Sequence, residues 1–243
     1  MSIDNGNCLY VVMPAYNEEE TIQMVVEQWY PVLEGKSEDS RLIVADSGST
    51  DNTHKILLEL KEKYPKLDIL EDTLKQHGPK LLAMYRYAID SKADYIFQTD
   101  SDGQTNPAEF EAFWNEIDKY EAVVGYRTER GDGKARAFVE KVVCFLLRLY
   151  FGVKVPDANT PFRLMKTDLV AKYIDRFAED YNIPNIMFTT FFAYYNDNIA
   201  FREITFKPRQ GGTNSINVRN IVRIGWRALS DFRNFKKSMN NES

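Results

Sequence analysis

The chain has 243 residues, and 44% hydrophobic with 28% charged content describes an ordinary globular protein, neither disordered nor membrane-spanning. A net charge of −5 argues against a dedicated nucleic-acid binder, because a phosphate backbone demands a basic surface. The charge is uneven, however. Residues 215–243 carry six basic and two acidic side chains, so this end is +4 and the body, residues 1–214, is −9.

Cysteine use and hydropathy indicate a compartment. Cys8 and Cys144 stand far apart in apolar runs, which favours core packing in a reducing cytosol. The N-terminal residues lack the basic-then-apolar layout of a signal peptide. The most apolar stretch, 142–151, is too short to span a bilayer. We therefore expect a cytoplasmic protein, with any membrane contact peripheral and at the inner face.

Short apolar strands alternate with helical stretches in the first half of the chain. The first helix is expected to follow Asn17, with Glu20 as a capping-box partner, and two others to begin at Pro79 and Pro107. This alternation predicts an α/β fold, a mostly parallel sheet sandwiched by helices, with ligands bound beyond the carboxyl ends of the strands. Strands are predicted over 9–13, 42–45, 67–70, 95–99 and 122–126, and helices over 18–30, 51–64, 79–91 and 107–119.

The regular alternation fades after about residue 130. The pattern then predicts a long apolar helix, a D-A-N-T-P-F-R turn, a last strand and a basic amphipathic helix, over 138–151, 157–163, 199–206 and 218–235. We accordingly predict one catalytic domain over 1–215, with a nucleotide-binding half (1–126) and an acceptor-side half (127–215). A basic amphipathic C-terminal helix and tail follow in 216–243.

Asp100 and Asp102 follow the fourth predicted strand, and two carboxylates one residue apart can share a divalent cation. Mg²⁺ or Mn²⁺ needs few protein carboxylates, because water and substrate phosphates complete its shell. An EF-hand loop fails, since Thr105 stands where that loop requires Gly. The D-x-D-G-T of haloacid-type phosphatases is a near match with its Thr displaced by one position. A solvated acidic turn also stays open.

Two further polar clusters follow the first two strands. Asp46 and Ser47 end the second strand, where a carboxylate can accept the imide N–H of uracil or guanine, although the following residues also suit helix capping. After the first strand, Tyr16 can stack on a base and Glu18 can hold a ribose hydroxyl. Neither G-x-G-x-x-G nor a P-loop motif occurs, which argues against a Rossmann dehydrogenase or a P-loop enzyme.

Taken in order, V-V-M-P-A-Y-N-E-E-E, V-A-D-S-G-S-T-D-N-T and T-D-S-D-G-Q resemble the inverting family 2 glycosyltransferases of GT-A fold. The downstream half is similar to their polyprenyl-phosphate sugar transferase subgroup, of the dolichyl-phosphate mannose synthase type. Gln104 and Pro107 match its D-x-D-x-Q-x-x-P, and V-V-G-Y-R, D-A-N-T-P-F-R and K-P-R-Q-G-G-T-N-S resemble its later motifs. The resemblance covers about residues 9–215. Ser47, Thr160–Pro161 and Asn214–Ser215 depart from the usual pattern.

The resemblance implies a metal-dependent inverting enzyme that uses Mg²⁺ or Mn²⁺ to move a sugar from a nucleotide-sugar donor to a polyprenyl phosphate. It implies four groups of site residues. Nucleotide binding falls to Pro14, Tyr16, Glu18, Asp46, Ser47, Asp100 and Ser101, and metal binding to Asp100, Asp102 and Gln104. Phosphate or acceptor binding falls to Arg127, Arg136, Arg163 and Arg209, and catalysis to Asp102, Asp157, Arg127 and Arg209.

The candidate acceptors differ in whether their attack on the sugar needs a catalytic base. A lipid phosphate is already ionised at neutral pH and needs no base. A saccharide hydroxyl, as in cell-surface polysaccharide synthesis, requires a carboxylate base, for which Asp157 is the candidate unless it forms a buried ion pair. A phosphohydrolase or a non-catalytic nucleotide-sugar binding module represents a different class.

Membrane contact has two candidate elements. Helix 138–151 is either a core helix or one partly laid into a lipid interface. In 218–235, Arg219, Arg223 and Arg227 lie opposite an apolar face, which suits either an anionic membrane surface or packing on the body.

Overall fold

The computed structural model describes residues 6–128, 134–209, 230–237 and 239. The strands are β1 (Leu9–Ala15), β2 (Arg41–Asp46), β3 (Leu67–Leu70), β4 (Tyr95–Gln98), β5 (Ala122–Arg127), β6 (Arg163–Lys166) and β7 (Ile199–Ile204). The helices are α1 (Ile22–Trp29), α2 (Thr53–Lys63), α3 (His77–Asp90), α4 (Phe110–Trp114), α5 (Lys134–Phe151), α6 (Thr167–Ile174) and α7 (Pro184–Tyr194). Residues 230–237 are also helical.

The seven strands form one sheet in the order β3-β2-β1-β4-β6-β5-β7. Neighbouring strands run parallel, except that β6 is antiparallel to both β4 and β5. Every residue of β1 is buried, as expected of a central parallel strand covered on both faces. The predicted α/β fold with a mostly parallel sheet sandwiched by helices is confirmed.

Strand β6 was not expected from the sequence, and neither were α6 and α7. Its four residues, R-L-M-K, begin and end with a basic side chain, so they show neither an apolar run nor a clear alternation. The strand is specified by distant partners, with Gln98 of β4 opposite Arg163. Because β6 lies between β4 and β5, the predicted nucleotide-binding and acceptor-side halves interleave in a single sheet.

Several helices begin at residues other than those predicted: α2 begins at Thr53, α5 begins at Lys134, and a 3-10 turn at Pro107 precedes α4. The first helix, α1, begins at Ile22, and Asn17 adopts a left-handed backbone with φ of 54°. The Asn17 side chain accepts a hydrogen bond from the Thr50 amide (2.8 Å), so it joins two loops instead of capping α1. Helix α3 begins at His77, two residues before Pro79.

Aromatic side chains fill the core on both faces of the sheet. Beneath α1 and α4, the Phe97 ring centre lies 5.1 Å from that of Trp29 and 4.8 Å from that of Phe162. Helices α3, α5, α6 and α7 cover the other face. There the buried Phe232 of the 230–237 helix packs 5.7 Å from Phe151.

The described part of the C-terminal helix therefore packs on the body. Phe235 continues this contact against Phe191, with ring centres 5.4 Å apart. The expected basic face with Arg219, Arg223 and Arg227 lies outside the described residues. Within the described part of the chain, none of the helices combines the length and the apolar character needed to cross a bilayer.

Candidate active site

Hydrogen bonds join the three predicted strand-end clusters at one edge of the sheet. Ser101, after β4, donates to the carbonyl oxygen of Pro14 in β1 (2.8 Å). The Thr21 hydroxyl donates to the Ser101 carbonyl oxygen (3.1 Å), and the Glu18 amide donates to the Thr53 hydroxyl (2.8 Å). Because β1 lies between β2 and β4, residues far apart in sequence converge on one surface.

Asp46 ends β2 and is buried, with a neighbour on each carboxylate oxygen. The Ser49 hydroxyl donates to Oδ1 (2.5 Å), and Nδ1 of His54 lies 3.2 Å from Oδ2. The other ring nitrogen of His54 lies 3.7 Å from Glu71. Asp51, one of the following residues that suit helix capping, accepts from the Thr53 amide (3.0 Å) at the start of α2. No motif or spacing in the sequence connects His54 with this site.

Lys80 is a second residue at this site, although the H-G-P-K segment that contains it favours a plain turn over a phosphate contact when read from the sequence alone. It is 1% exposed, and its Nζ donates to the Ala15 carbonyl oxygen (2.5 Å) beneath the half-exposed Tyr16 ring, whose centre is 5.5 Å away. Burial lowers the pKa of Lys80 to about 8, although the charge of Asp46 acts in the opposite direction. The sequence signal for a buried lysine here is its position in the first turn of a helix, directly before apolar residues. Nearby, the Ser47 hydroxyl lies 2.5 Å from that of Thr73.

Asp100 and Asp102 lie in a tight turn that continues through Gly103, whose φ of 72° is a conformation that favours glycine. Asp102 is buried and accepts the Gln104 amide (3.1 Å). Asp100 is partly exposed and lies 3.3 Å from Nε2 of His77. Burial, together with the like charge of Asp100, raises the pKa of Asp102 to about 7. The turn therefore concentrates negative charge where solvent stabilises it poorly.

Arg209 reaches this acidic turn from the far end of the chain. Its guanidinium donates to Glu18 and lies 3.9 Å from the Asp102 carboxylate. Burial raises the pKa of Glu18, against the opposing effect of the arginine. Gln104 holds the arginine's segment in place, because its side-chain amide donates to the Lys207 carbonyl oxygen (2.8 Å). The Gln104 side chain therefore anchors the segment around Lys207, and its role as a metal ligand stays a prediction.

Arg127 and Asp157 form a buried ion pair beside the end of β5. The guanidinium donates through Nε to Oδ2 (2.7 Å) and through Nη2 to Oδ1 (3.0 Å), a bidentate geometry. The same guanidinium lies 4.9 Å from the Phe206 ring centre and 4.0 Å from Glu140. Asn159 also donates its amide to Asp157 (3.1 Å). Of the two roles left open for Asp157, the contacts are those of an ion pair.

Arg163 lies in the protein interior, away from any surface at which it was expected to contact an acceptor. It is 0% exposed, and its guanidinium donates to the main-chain carbonyl oxygens of Thr160 (2.9 Å) and Asn185 (3.3 Å). The guanidinium is therefore enclosed by protein and does not reach a surface where an acceptor could bind. This corrects the expected role, because the side chain fastens the 157–163 turn to α7. Arg136 lies half-buried near the beginning of α5.

Comparison with known proteins shows the family of this chain. The model described as Glycosyl transferase family 2 matches residues 10–174, which include all three strand-end clusters. The chain belongs to this family. The expectation of a family 2 glycosyltransferase with a GT-A fold is thereby confirmed.

Relatives of this family 2 chain include lipid-phosphate sugar transferases. The dolichyl-phosphate beta-glucosyltransferase of Dictyostelium discoideum is 26% identical over 91% of this chain and 75% of that protein. The undecaprenyl-phosphate 4-deoxy-4-formamido-L-arabinose transferase of Photorhabdus laumondii is 25% identical over 70% of this chain. The matched region spans 52% of that second protein, about half its length.

Solved structures support the fold. The glucosyl-3-phosphoglycerate synthase of Mycobacterium tuberculosis, crystallised with Mn²⁺, uridine diphosphate and glucosyl-3-phosphoglycerate, superposes with a TM-score of 0.63. The match has 18% sequence identity and covers 85% of this chain and 73% of that one. At this identity the similarity establishes the GT-A architecture, and ligands must be argued from the residues of this chain.

Proposed function

We propose that this family 2 glycosyltransferase moves a sugar from a uridine-diphosphate sugar to a polyprenyl phosphate, with inversion at the anomeric carbon. The observation that carries the proposal is the convergence of the buried Asp46 and the Asp100–Asp102 turn at one sheet edge. Arg209 lies at that same edge, 3.9 Å from the Asp102 carboxylate. The named lipid-phosphate transferases among the relatives and the uridine diphosphate of the structural neighbour support the same choice of donor and acceptor.

The donor base is assigned to the β1 and β2 ends. Asp46 is held by Ser49 and His54, so its carboxylate has a fixed orientation from which to accept an imide N–H. Tyr16 offers a half-exposed ring on which a base can stack. Lys80, next to that ring, adds a cation directed toward the same region. Pro14, Ser47 and Ser101 complete the assignment as residues that shape the surrounding loops.

The Asp100–Asp102 turn fits a divalent cation. Among the described residues, no group of three or more His, Cys, Asp or Glu side chains is arranged as a closed metal site. Two carboxylates suffice for Mg²⁺ or Mn²⁺ when a substrate diphosphate supplies further oxygen ligands. Burial and then the like charge of Asp100 raise the pKa of Asp102, and a bound cation would stabilise the ionised form of this carboxylate. When bound, such an ion supplies charge stabilisation to the leaving diphosphate.

Arg209 and Arg127 are assigned to phosphate groups. In the structure each guanidinium already pairs with a protein carboxylate, Glu18 or Asp157. A diphosphate near Asp102 would compete with Glu18 for Arg209, so donor binding and the position of the 205–209 segment are coupled. Arg127 is held rigidly by its bidentate pair, which presets it for an anionic acceptor without large loss of side-chain entropy.

The state of Asp157 favours a phosphate acceptor over a saccharide hydroxyl. Hydroxyl attack needs a base that can take a proton, whereas both oxygens of Asp157 are engaged by Arg127. A lipid phosphate is already ionised and can attack the anomeric carbon directly as the nucleoside diphosphate leaves. Asp157 then acts as a positioning residue for Arg127.

The test is transfer of a radiolabelled sugar from uridine-diphosphate sugars to a polyprenyl phosphate in detergent, with Mn²⁺ or Mg²⁺. We expect a labelled lipid product that requires the acceptor phosphate. Product formed with saccharide acceptors and absent with the lipid phosphate would contradict the acceptor. Release of inorganic phosphate from a simple phosphate ester, without sugar transfer, would favour the phosphohydrolase instead.

A further inference from the structure

The outward face of α5 carries an exposed apolar stripe. Phe138, Phe145 and Leu149 are 68%, 64% and 69% exposed, and Val142 is also exposed. Their spacings of four, three and four residues place them on one side of the helix. Four of the eight large apolar side chains that are exposed among the described residues belong to this stripe. Contiguous patches of this kind mark interaction sites more often than scattered single residues do.

The charges on this face have one sign. Between Phe138 and Leu149 the only other exposed residues are Lys141 and Arg148. The acid of this segment, Glu140, points inward and accepts the Ala158 amide (2.8 Å). An apolar stripe flanked by cations, without an exposed acid, is complementary to an anionic bilayer, where apolar groups enter the acyl boundary and cations meet headgroup phosphates.

The opposite face of α5 already packs on the protein, so the stripe is not the core-facing side of this helix. Leu147 and Phe151 are buried on the opposite side, and Phe151 packs against Phe232 of the 230–237 helix. The inward Glu140 also lies 4.0 Å from Arg127, the candidate acceptor-phosphate residue. Because a helix is about 10–12 Å across, the stripe and Arg127 are separated by roughly one helix diameter plus this 4.0 Å contact.

We propose that the outward face of α5 is the surface with which the enzyme lies on an anionic membrane. A polyprenyl phosphate could then present its phosphate near Arg127 while its chain stays in the bilayer. This last step rests on the proposed function, whereas the membrane contact can be measured without it. A second copy of the chain is a poorer occupant, because pairing two such faces would bring Lys141 and Arg148 together with their own copies.

Vesicle flotation of the full chain tests the surface. Wild-type protein is expected to float with vesicles containing about 30 mol% anionic lipid and to float less with neutral vesicles or at high salt. Replacing Phe138, Phe145 and Leu149 together by Ser should lower membrane partitioning about tenfold or more. A matched pair, Leu149→Ser against Leu58→Ser, compares exposed helical leucines on and off the stripe. Thermal unfolding should be unchanged in every variant.

Several outcomes would overturn the assignment. Flotation of the triple variant at the wild-type level would do so, as would the absence of wild-type flotation with any vesicle. If replacing Arg219, Arg223 and Arg227 by Gln abolished flotation while the triple variant kept it, the contact would belong to the C-terminal segment. A concentration-dependent dimer that the triple variant loses, without vesicle binding by either protein, would assign the face to self-association.

Activity separates this proposal from the proposed function. The triple variant should transfer sugar to a short, detergent-soluble isoprenyl phosphate within about twofold of wild type. Its transfer to a long-chain polyprenyl phosphate embedded in anionic vesicles should fall about tenfold, because the enzyme partitions less to the surface. A wild-type protein that floats through the stripe but transfers to neither acceptor would contradict the proposed function and leave the surface assignment standing.

Discussion

The donor side and the acceptor side of the site hold their charges in different ways. On the donor side, the two central carboxylates have partners close in sequence: Asp46 pairs with Ser49 and Asp102 with Gln104, within three residues. The arginine pairs are long in sequence, since 30 residues separate Arg127 from Asp157 on the acceptor side and 191 separate Arg209 from Glu18, where the two sides meet. Local turns thus orient the donor-side carboxylates, whereas the tertiary fold brings the arginines to their partners.

The two sides also differ in whether their charged groups already have partners of opposite charge. On the donor side, burial and then the like charge of Asp100 raise the pKa of Asp102, so these carboxylates gain from a cation. Arg127 and Arg209 already have acidic partners within the protein. An anion that binds one of these arginines must share it with the carboxylate partner or displace that carboxylate. The difference makes the donor chemistry sensitive to single carboxylates and the acceptor side sensitive to the integrity of ion pairs.

The largest effect is expected on the donor side. Asp102→Asn should lower sugar transfer about 10³-fold, because it removes one carboxylate from the diphosphate end of the site, and single electrostatic contacts there are worth about 10²–10³ or more. Initial-rate measurement of transfer checks this. The exposed Asp118→Asn serves as the control and should retain wild-type activity. Activity of Asp102→Asn within tenfold of wild type would remove this residue from the machinery.

On the acceptor side, Asp157→Asn should act first on stability. Removing the bidentate partner leaves the buried Arg127 with the more distant Glu140 (4.0 Å) as its nearest described carboxylate, which costs about 3 kcal/mol of the free energy of unfolding. Urea unfolding measures the change. Glu59→Gln breaks an exposed pair with Lys55 and should cost less than about 0.5 kcal/mol. Wild-type stability combined with lost activity in Asp157→Asn would instead point to a catalytic base.

A third prediction uses pH to examine the donor side. Burial lowers the pKa of Lys80 from 10.5 to about 8, so between these values the native protein holds fewer protons than the unfolded chain. Stability contributed by this group should therefore rise with pH, by about 2 kcal/mol between pH 8 and 10. The rise should be absent in Lys80→Met. Parallel pH profiles of the unfolding free energy for both proteins would contradict the assigned environment.

The smallest effect is expected at His54, which supports Asp46. His54→Leu removes the contact to the carboxylate and should weaken nucleotide binding about fivefold, since one such hydrogen bond is worth about 1 kcal/mol. His54→Asn keeps a donor near the same position and should recover most of the affinity. Calorimetric titration measures both. Equal affinity in wild type and His54→Leu would show that Asp46 needs no such support.

The same contrast explains what could be predicted from the sequence. The strands that lead to Asp46 and Asp100 were predictable, because apolar runs followed by polar turns are local signals. The start of α1 was not, since it depends on the left-handed Asn17 and its bond to Thr50. Arg163 was misassigned because nothing local distinguishes an arginine on a surface from one enclosed beneath a sheet. Its burial follows from β6, whose place between β4 and β5 is set entirely by distant partners.

The proposal that the three strand ends form a metal-dependent nucleotide site is tested most directly by titrating uridine diphosphate into the protein with and without Mn²⁺. We expect saturable binding that requires the ion, is lost in Asp102→Asn and persists in the folded fraction of Asp157→Asn. Binding of equal strength in the presence of a chelator, or undiminished binding by Asp102→Asn, would contradict it.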